Sequence, residues 1–298
     1  MQLIVYILVY PILWCISILP FRLLYIISDF LYLVIYRIGN YRVSTVKANL
    51  KMVFPDKSEQ EINSIIRKFY HFLCDMIMET IKSMTISKEE LKKRFSYENL
   101  ELIKDLETKN RSIVLLCGHY ASWEWIFSLQ LHVKYSGYAV YKQLSNKYFD
   151  RLVKRIRARH NSYLMTMNDT YKVMSGVQKQ NEKAIYGFAA DQSPMMGKNL
   201  YWNTFLGINV PMYTGAETLA KRFDLAVVFM NVNRFKRGFY KASFKVLTEH
   251  PKEVDNYKIT DSYFDLLEDQ INKQPEYYLW THKRWKHRDK APKKLVNN

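Results

Sequence analysis

The chain has 298 residues, enough for one large domain or two with a substantial core, and sets 45 Lys+Arg against 28 Asp+Glu for a formal charge of +17. Such a surface seeks anions: phosphates, acidic proteins, nucleic acid or an anionic bilayer. Aromatics make up 15% of the residues, with 23 tyrosines, a composition that suits membrane interfaces and base stacking alike. Cys15, Cys74 and Cys117 have no paired spacing, which argues against a disulfide framework or a zinc site and fits a reducing compartment.

Met1 to Phe21 contains no Asp, Glu, Lys or Arg and has about the length that crosses a ~30 Å hydrocarbon core. A cleaved signal would want a basic start and small residues at the cut, and this stretch has neither. Pro11 leaves a tilted span and an in-plane helix both open. Leu23 to Ile35 is a second, shorter apolar stretch interrupted by Ser28 and Asp29. Arg22, Arg37, Arg42, Lys47 and Lys51 follow the first one, so the positive-inside rule puts the body of the protein in the cytoplasm. Residues 1–40 therefore read as hydrophobic membrane-anchoring helices, against the alternative of a buried hairpin in a soluble protein. Residues 41–290 read as the main domain and 291–298 as a loose basic tail.

Within the main domain, Ser58 and Glu61 form a capping box. Behind it Ile62, Ile65, Ile66, Phe69, Phe72, Leu73, Met76, Ile77 and Met84 fall at helical spacing, a stripe that faces a core. Ser87 to Arg94 reads as a shorter polar helix, so 58–94 is a helical segment. From Arg111 the pattern becomes strand–helix alternation. Strands are predicted over 112–117, 138–142, 183–190, 226–233 and 239–246. Helices are predicted over 123–134, 148–159, 171–179, 213–222 and 260–272. This alternation implies an α/β fold, a mixed and mostly parallel central sheet flanked by helices.

The stretch Arg111 to Trp125, RSIVLLCGHYASWEW, concentrates the chemistry. Its apolar strand ends in Gly118 and His119, and Glu124 follows. Buried strands deliver reactive side chains at their carboxyl ends, where a following helix aims its N–H groups at the same spot. A neutral imidazole can accept a hydroxyl proton, and a carboxylate on its far nitrogen would fix the tautomer. Glu124 is the expected partner. No Ser or Cys nucleophile sits in a recognisable elbow, so direct attack by a substrate hydroxyl is more economical than a covalent enzyme intermediate. No HExxH or second ligand cluster accompanies the pair, so no metal is expected. The residues alone leave catalysis and a structural histidine both open.

His119-Tyr-Ala-Ser-Trp-Glu124 resembles the H-x4-D/E motif of membrane acyltransferases, and specifically the HFGNWE-type motif of the late acyltransferases of lipid A biosynthesis. Further blocks match in order. They are Asn49-Leu50 with Phe54-Pro55, the basic stretch Tyr141 to Arg159, Asp191-Gln192, Phe205 to Thr214 (FLGINVPMYT), and Pro275 to Lys286 (PEYYLWTHKRWK). The resemblance covers roughly residues 40 to 290. Gln143 stands where the family often has proline, and Leu206 replaces the second Phe of its FFG.

The resemblance implies a glycerolipid-acyltransferase-like fold with a hydrophobic N-terminal anchor. It also implies a reaction: His119, paired with Glu124, deprotonates a hydroxyl on a lipid A precursor, which attacks an acyl thioester to give an ester. The thioester is a co-substrate, carried by acyl carrier protein or coenzyme A, and no resident cofactor is expected. N–H groups at the helix start after Gly118 would stabilise the oxyanion. Arg159, Asp191 and Gln192 would line the site or brace the His/Glu pair. Lys142, Lys147, Arg151, Lys154, Arg155 and Arg157, with the cluster Lys283 to Arg288 that includes Arg284, would receive acceptor phosphates and an acidic carrier protein. The expected location is the cytoplasmic face of a bacterial inner membrane, with an anionic glycolipid as acceptor. Two alternatives stand beside this: acylation of a lysophospholipid, glycolipid or amino-acid lipid, and a noncatalytic binding protein. Nucleic acid is not expected as a partner, because no helix-turn-helix, RNP or zinc-finger pattern is present.

Overall fold

The computed structural model of the chain describes residues 1–197 and 200–291; most of the expected basic tail lies outside them. The N-terminal region builds four helices: α1 (Gln2–Ile18), α2 (Phe21–Tyr32), α3 (Val43–Val53) and α4 (Glu59–Lys82). A π-helical turn over Leu33–Ile38 extends α2. The capping box of α4 forms as read, with the Ser58 hydroxyl accepting from the Glu61 N–H and the Glu61 carboxylate accepting from the Ser58 N–H. Its apolar stripe is buried at Ile62, Ile65, Ile66, Phe69, Phe72, Leu73 and Met76, while Ile77 is half-buried and Met84 lies past the helix end.

After α5 (Lys88–Arg94), β1 (Phe95–Tyr97) and α6 (Glu101–Thr108) comes the central strand β2 (Ile113–Cys117). The chain continues through β3 (Ser136–Tyr141), α7 (Lys147–Arg157), β4 (Ser162–Thr166), α8 (Thr170–Lys179) and β5 (Ala184–Ala189). A separate antiparallel hairpin, β6 (Tyr201–Phe205) with β7 (Ile208–Met212), precedes α9 (Gly215–Phe223), β8 (Ala226–Lys236), β9 (Phe239–Thr248) and α10 (Lys258–Lys273). The main sheet has seven strands in the order β1-β9-β8-β2-β5-β3-β4. Every neighbouring pair is parallel except β8–β9. The fold is therefore a mixed, mostly parallel sheet flanked by helices. All five residues of β2 are buried, as a strand covered on both faces requires.

Three expectations change. The two apolar stretches form separate helices of 17 and 12 residues, parted at Leu19-Pro20, but the first does not have the length of a span, since 17 residues at about 1.5 Å each fall short of a ~30 Å core. Among the described residues no helix is long and apolar enough to cross a membrane. The helix expected over 123–134 is a 3-10 stretch, Trp125–Leu131. Its first residue, Trp125, is anchored in the core: it is 2% exposed, its Nε1–H donates to Ser83 Oγ at 3.1 Å, and it packs edge-on against Phe21 and Tyr240. Finally, β1, β4 and the β6–β7 hairpin were not foreseen as strands; they are short or mixed in polarity, with little periodic signal.

The N-terminal helices are fastened to α4 by polar contacts. Lys82 Nζ donates to the Ser17 and Leu19 carbonyls, Tyr25 Oη to Glu79, and Ser28 Oγ to Asp75. The other end of α1 reaches α7, with Tyr6 against Tyr148 and Phe149. The outward sides of α1 and α2 remain apolar and exposed: Ile4, Leu8, Ile12, Trp14, Leu23, Ile26 and Phe30 are each at least 45% exposed.

Candidate active site

The parallel pairing of β2 with β5 sets the site. Cys117 pairs with Ala189, so His119 and Asp191 each stand two residues beyond the same rung. Both strands deliver their side chains at one carboxyl edge of the sheet. Gly118 makes the approach possible: a Cβ there would lie 2.5 Å from Leu267 Cδ1 on α10. The strand end is further pinned where Tyr263 Oη donates to the Cys117 carbonyl at 2.9 Å.

His119 Nδ1 is 2.7 Å from Asp191 Oδ1, and the His119 backbone N–H donates to Asp191 Oδ2 at 3.1 Å. Asp191 is 1% exposed while the His119 side chain keeps 22% of its surface. The buried carboxylate accepts both donors, which leaves the imidazole proton on Nδ1 and a lone pair on Nε2. Gln192 Nε2 lies 3.2 Å from that second nitrogen. Burial disfavours the imidazolium, yet the charge and hydrogen bond of Asp191, with the charge of Glu124, outweigh it and raise the His119 pKa. Burial likewise pushes the Asp191 carboxyl up, but His119 and backbone hydrogen bonds hold it below its ordinary range.

The expected partner of the imidazole is thus corrected: the carboxylate on Nδ1 belongs to Asp191, and Glu124 does not occupy that position. Glu124 instead accepts from Arg157, through Nε at 3.1 Å and through a second, shorter contact from Nη2. The backbone explains why. Ala121 takes a positive φ of +50°, and the following residues are not α-helical, so a spacing of five does not return Glu124 to His119 Nδ1.

The other predicted residues fall in different places. Arg159 donates to the carbonyls of Ser83, Met84 and Ile86 at 3.1 to 3.3 Å, satisfying groups at the end of α4. It is Arg157 that meets Glu124. Helical phase could have singled it out, since it lies seven residues after the buried Asp150 on α7. Lys142 is solvent-exposed just past β3, on the sheet edge that carries His119. Arg284 is fully buried, with its guanidinium 5.4 Å and 5.7 Å from the Phe205 and Phe264 ring centres and Nη2 3.1 Å from Met212 Sδ. It therefore sits in the packing under the site and is not available to a headgroup.

The segment 277–282 straps the site from outside. The Leu279 N–H donates to the His119 carbonyl at 3.1 Å and the Ala121 N–H to the Tyr277 carbonyl at 3.0 Å. His282 Nε2 accepts from the Ser193 N–H at 3.2 Å, holding the loop that follows Asp191. Burial drives the His282 pKa down to about 4, so it stays a neutral acceptor at ordinary pH. The strap is held in turn by Asn49, whose Nδ2 donates to the Trp280 and His282 carbonyls, both at 2.9 Å. The expected oxyanion donors are corrected as well. The helix start expected directly after Gly118 is a 3-10 turn that begins only at Trp125, and the N–H groups of His119, Ala121 and Trp123 already have acceptors. Among the described residues, no group of three His, Cys, Asp or Glu is arranged to hold a metal ion.

A sequence model of the bacterial lipid A biosynthesis acyltransferases matches residues 1–287. The lipid A biosynthesis lauroyltransferase of Escherichia coli (strain K12) is 24% identical over 278 residues, 93% of this chain and 90% of that protein. The palmitoleoyltransferase of the same organism is 24% identical over 257 residues, 83% of this chain and 79% of its own. A lipid A biosynthesis acyltransferase of Haemophilus influenzae is 25% identical over 261 residues, 86% and 82% of the two chains. The match covers nearly the whole chain, and the chain belongs to the bacterial lipid A biosynthesis acyltransferases.

Proposed function

We propose that this acyltransferase moves a fatty acyl chain from the thioester of an acyl carrier protein to a hydroxyl of a lipid A precursor, at a membrane surface. The observation that carries the chemistry is the His119–Asp191 pair, a half-open imidazole whose far nitrogen is held by a buried carboxylate. In the reaction, His119 Nε2 takes the proton of the acceptor hydroxyl as its oxygen bonds to the thioester carbonyl carbon. Asp191 keeps the tautomer and stabilises the imidazolium without itself taking the proton. Collapse of the tetrahedral adduct breaks the C–S bond, and the proton on Nε2 passes to the departing thiolate. Gln192 occupies the lone pair at rest and gives way to the hydroxyl. The Glu124–Arg157 pair contributes charge beside the imidazole without touching Nδ1.

The exposed apolar sides of α1 and α2 support a location in the bilayer interface, with the helices lying in the plane of the membrane. A body on the cytoplasmic face of an inner membrane fits the cations that follow them. Lys147, Arg151 and Arg155 are exposed, recur every four residues on α7 and suit an acidic carrier protein. This is the helix whose Arg157 holds Glu124. Mass spectrometry of lipid A from cells lacking and overexpressing the protein tests the reading. A difference of one acyl chain is expected. Unchanged lipid A together with altered phospholipids or glycolipids would transfer the activity to another acceptor.

A further inference from the structure

We propose that the tip of the β8–β9 hairpin, Phe235 with Lys236, is a second bilayer-contact element that enters an anionic lipid surface beside α2. The inference rests on the membrane-surface reading above and extends it to a part of the chain far from the N-terminus. Phe235 is 62% exposed, and a large aromatic side chain held in water at a tight turn contributes nothing to the core. Its ring is 6.1 Å from that of Phe239. The Arg94 guanidinium then stands 4.6 Å from Phe239 and 3.3 Å from Phe21. The row ends at Phe21 in the first turn of α2, a helix whose outward side carries Leu23, Ile26 and Phe30, which are 46%, 63% and 66% exposed. The hairpin tip thus sits beside a helix with an exposed apolar side.

The tip is also fixed in place. Arg237 donates to Asp29 and Asp75 and to the Tyr25 carbonyl. Gly238 adopts a φ of +72°, and a Cβ at that position would lie 1.8 Å from Tyr25 Oη. Only glycine meets both demands, so the turn is seated against α2 and Phe235 is held at a set height relative to that helix. Lys241 is paired with Glu98 and Arg237 with Asp29 and Asp75, which leaves Lys236 and Arg22 as the cations beside the ring that have no carboxylate partner among the described residues. Lys236 and Arg22 are exposed, and Lys241 Nζ lies 5.9 Å from the Phe235 ring centre. An aromatic ring flanked by long basic side chains matches the boundary between acyl chains and phosphates. A bilayer with anionic headgroups is therefore the occupant that the chemistry fits.

The test is co-sedimentation of the purified full chain with vesicles of phosphatidylethanolamine and phosphatidylglycerol. Phe235→Ser is expected to weaken partitioning roughly tenfold, the scale that burial of one Phe side chain sets, while Phe235→Leu retains it. Lys236→Glu should weaken binding to these vesicles and leave binding to purely zwitterionic ones nearly unchanged. The exposed position keeps all three variants folded, which thermal melting verifies. Partitioning of Phe235→Ser equal to wild type would overturn the proposal while leaving the N-terminal helices as the membrane contact. A wild-type chain that ignores vesicles altogether would remove the membrane reading itself. A concentration-dependent dimer that Phe235→Ser abolishes, with vesicle binding intact, would reassign the tip to a second copy of the chain.

Discussion

Two buried aspartates sit in different parts of this molecule and do opposite work. Asp191 is 1% exposed and Asp75 is 2% exposed, so both carry charge in a place where an unpaired carboxylate would be costly. Asp75, on α4, accepts from Ser28 of α2 at 2.7 Å, from Arg234 of β8 at 2.6 Å, and from Arg237 of the hairpin turn at 2.6 to 3.0 Å. Asp191 faces one imidazole and one backbone N–H. Guanidinium groups keep their protons throughout the accessible range, so Asp75 ties three elements together and can do nothing else. An imidazole exchanges its proton near neutral pH, so in the proposed reaction the same carboxylate chemistry at Asp191 supports a base. The pKa of the partner, more than burial or geometry, separates a joint from a reaction centre.

Substitutions can break this contrast in order of size. His119→Ala should lower turnover by about 10⁴-fold, the upper end of general-base contributions, with an unchanged far-ultraviolet circular dichroism spectrum; near-wild-type turnover would remove His119 as the base. Asp191→Asn should cost roughly 10³- to 10⁴-fold, because the wrong tautomer becomes accessible. It also carries a pH signature. The wild-type acidic limb of kcat/KM should lie above the ordinary imidazole value of about 6.5, since Asp191 raises the His119 pKa. Without that charge the remaining burial lowers the pKa, so the limb should move to lower pH; an unmoved limb would detach Asp191 from the base.

Glu124→Gln should reduce turnover by roughly ten- to a hundredfold, as groups that support a reactive centre from outside generally do, and a stopped-assay titration of both substrates would show the loss in kcat. Retained activity at that position would confine the Glu124–Arg157 pair to structure. Asp75→Asn is the counterpart. Turnover per folded molecule should be unchanged, while Arg234, left without its carboxylate, and Arg237, left with Asp29 alone, should destabilise the fold by about 3 kcal/mol, measured by urea unfolding. A specific loss of turnover in the folded variant would erase the distinction between the two aspartates.

Much of the site could be read from residue order. A wholly apolar run ending in Gly118-His119 and another ending near Asp191-Gln192 both signal strand ends, because period and burial are local properties. The mostly parallel sheet followed from alternation of strands and helices. Glu124 is not the partner because the turn after His119, with Ala121 at a φ of +50°, carries its carboxylate to Arg157, and a sequence spacing of five does not specify the path of a turn. Hydropathy likewise left a span and an in-plane helix both open for Met1 to Phe21; the helix stops short at Leu19-Pro20, where Lys82 holds the Ser17 and Leu19 carbonyls in a tertiary contact.

The sequence by itself determined that an imidazole would stand at the end of a buried strand, with an apolar N-terminus and a basic surface around it. Only the tertiary structure decided which acid it meets. His119 and Asp191 lie 72 residues apart and face each other because Cys117 and Ala189 share a rung. Strand register is set by packing across the whole sheet, which no local pattern encodes.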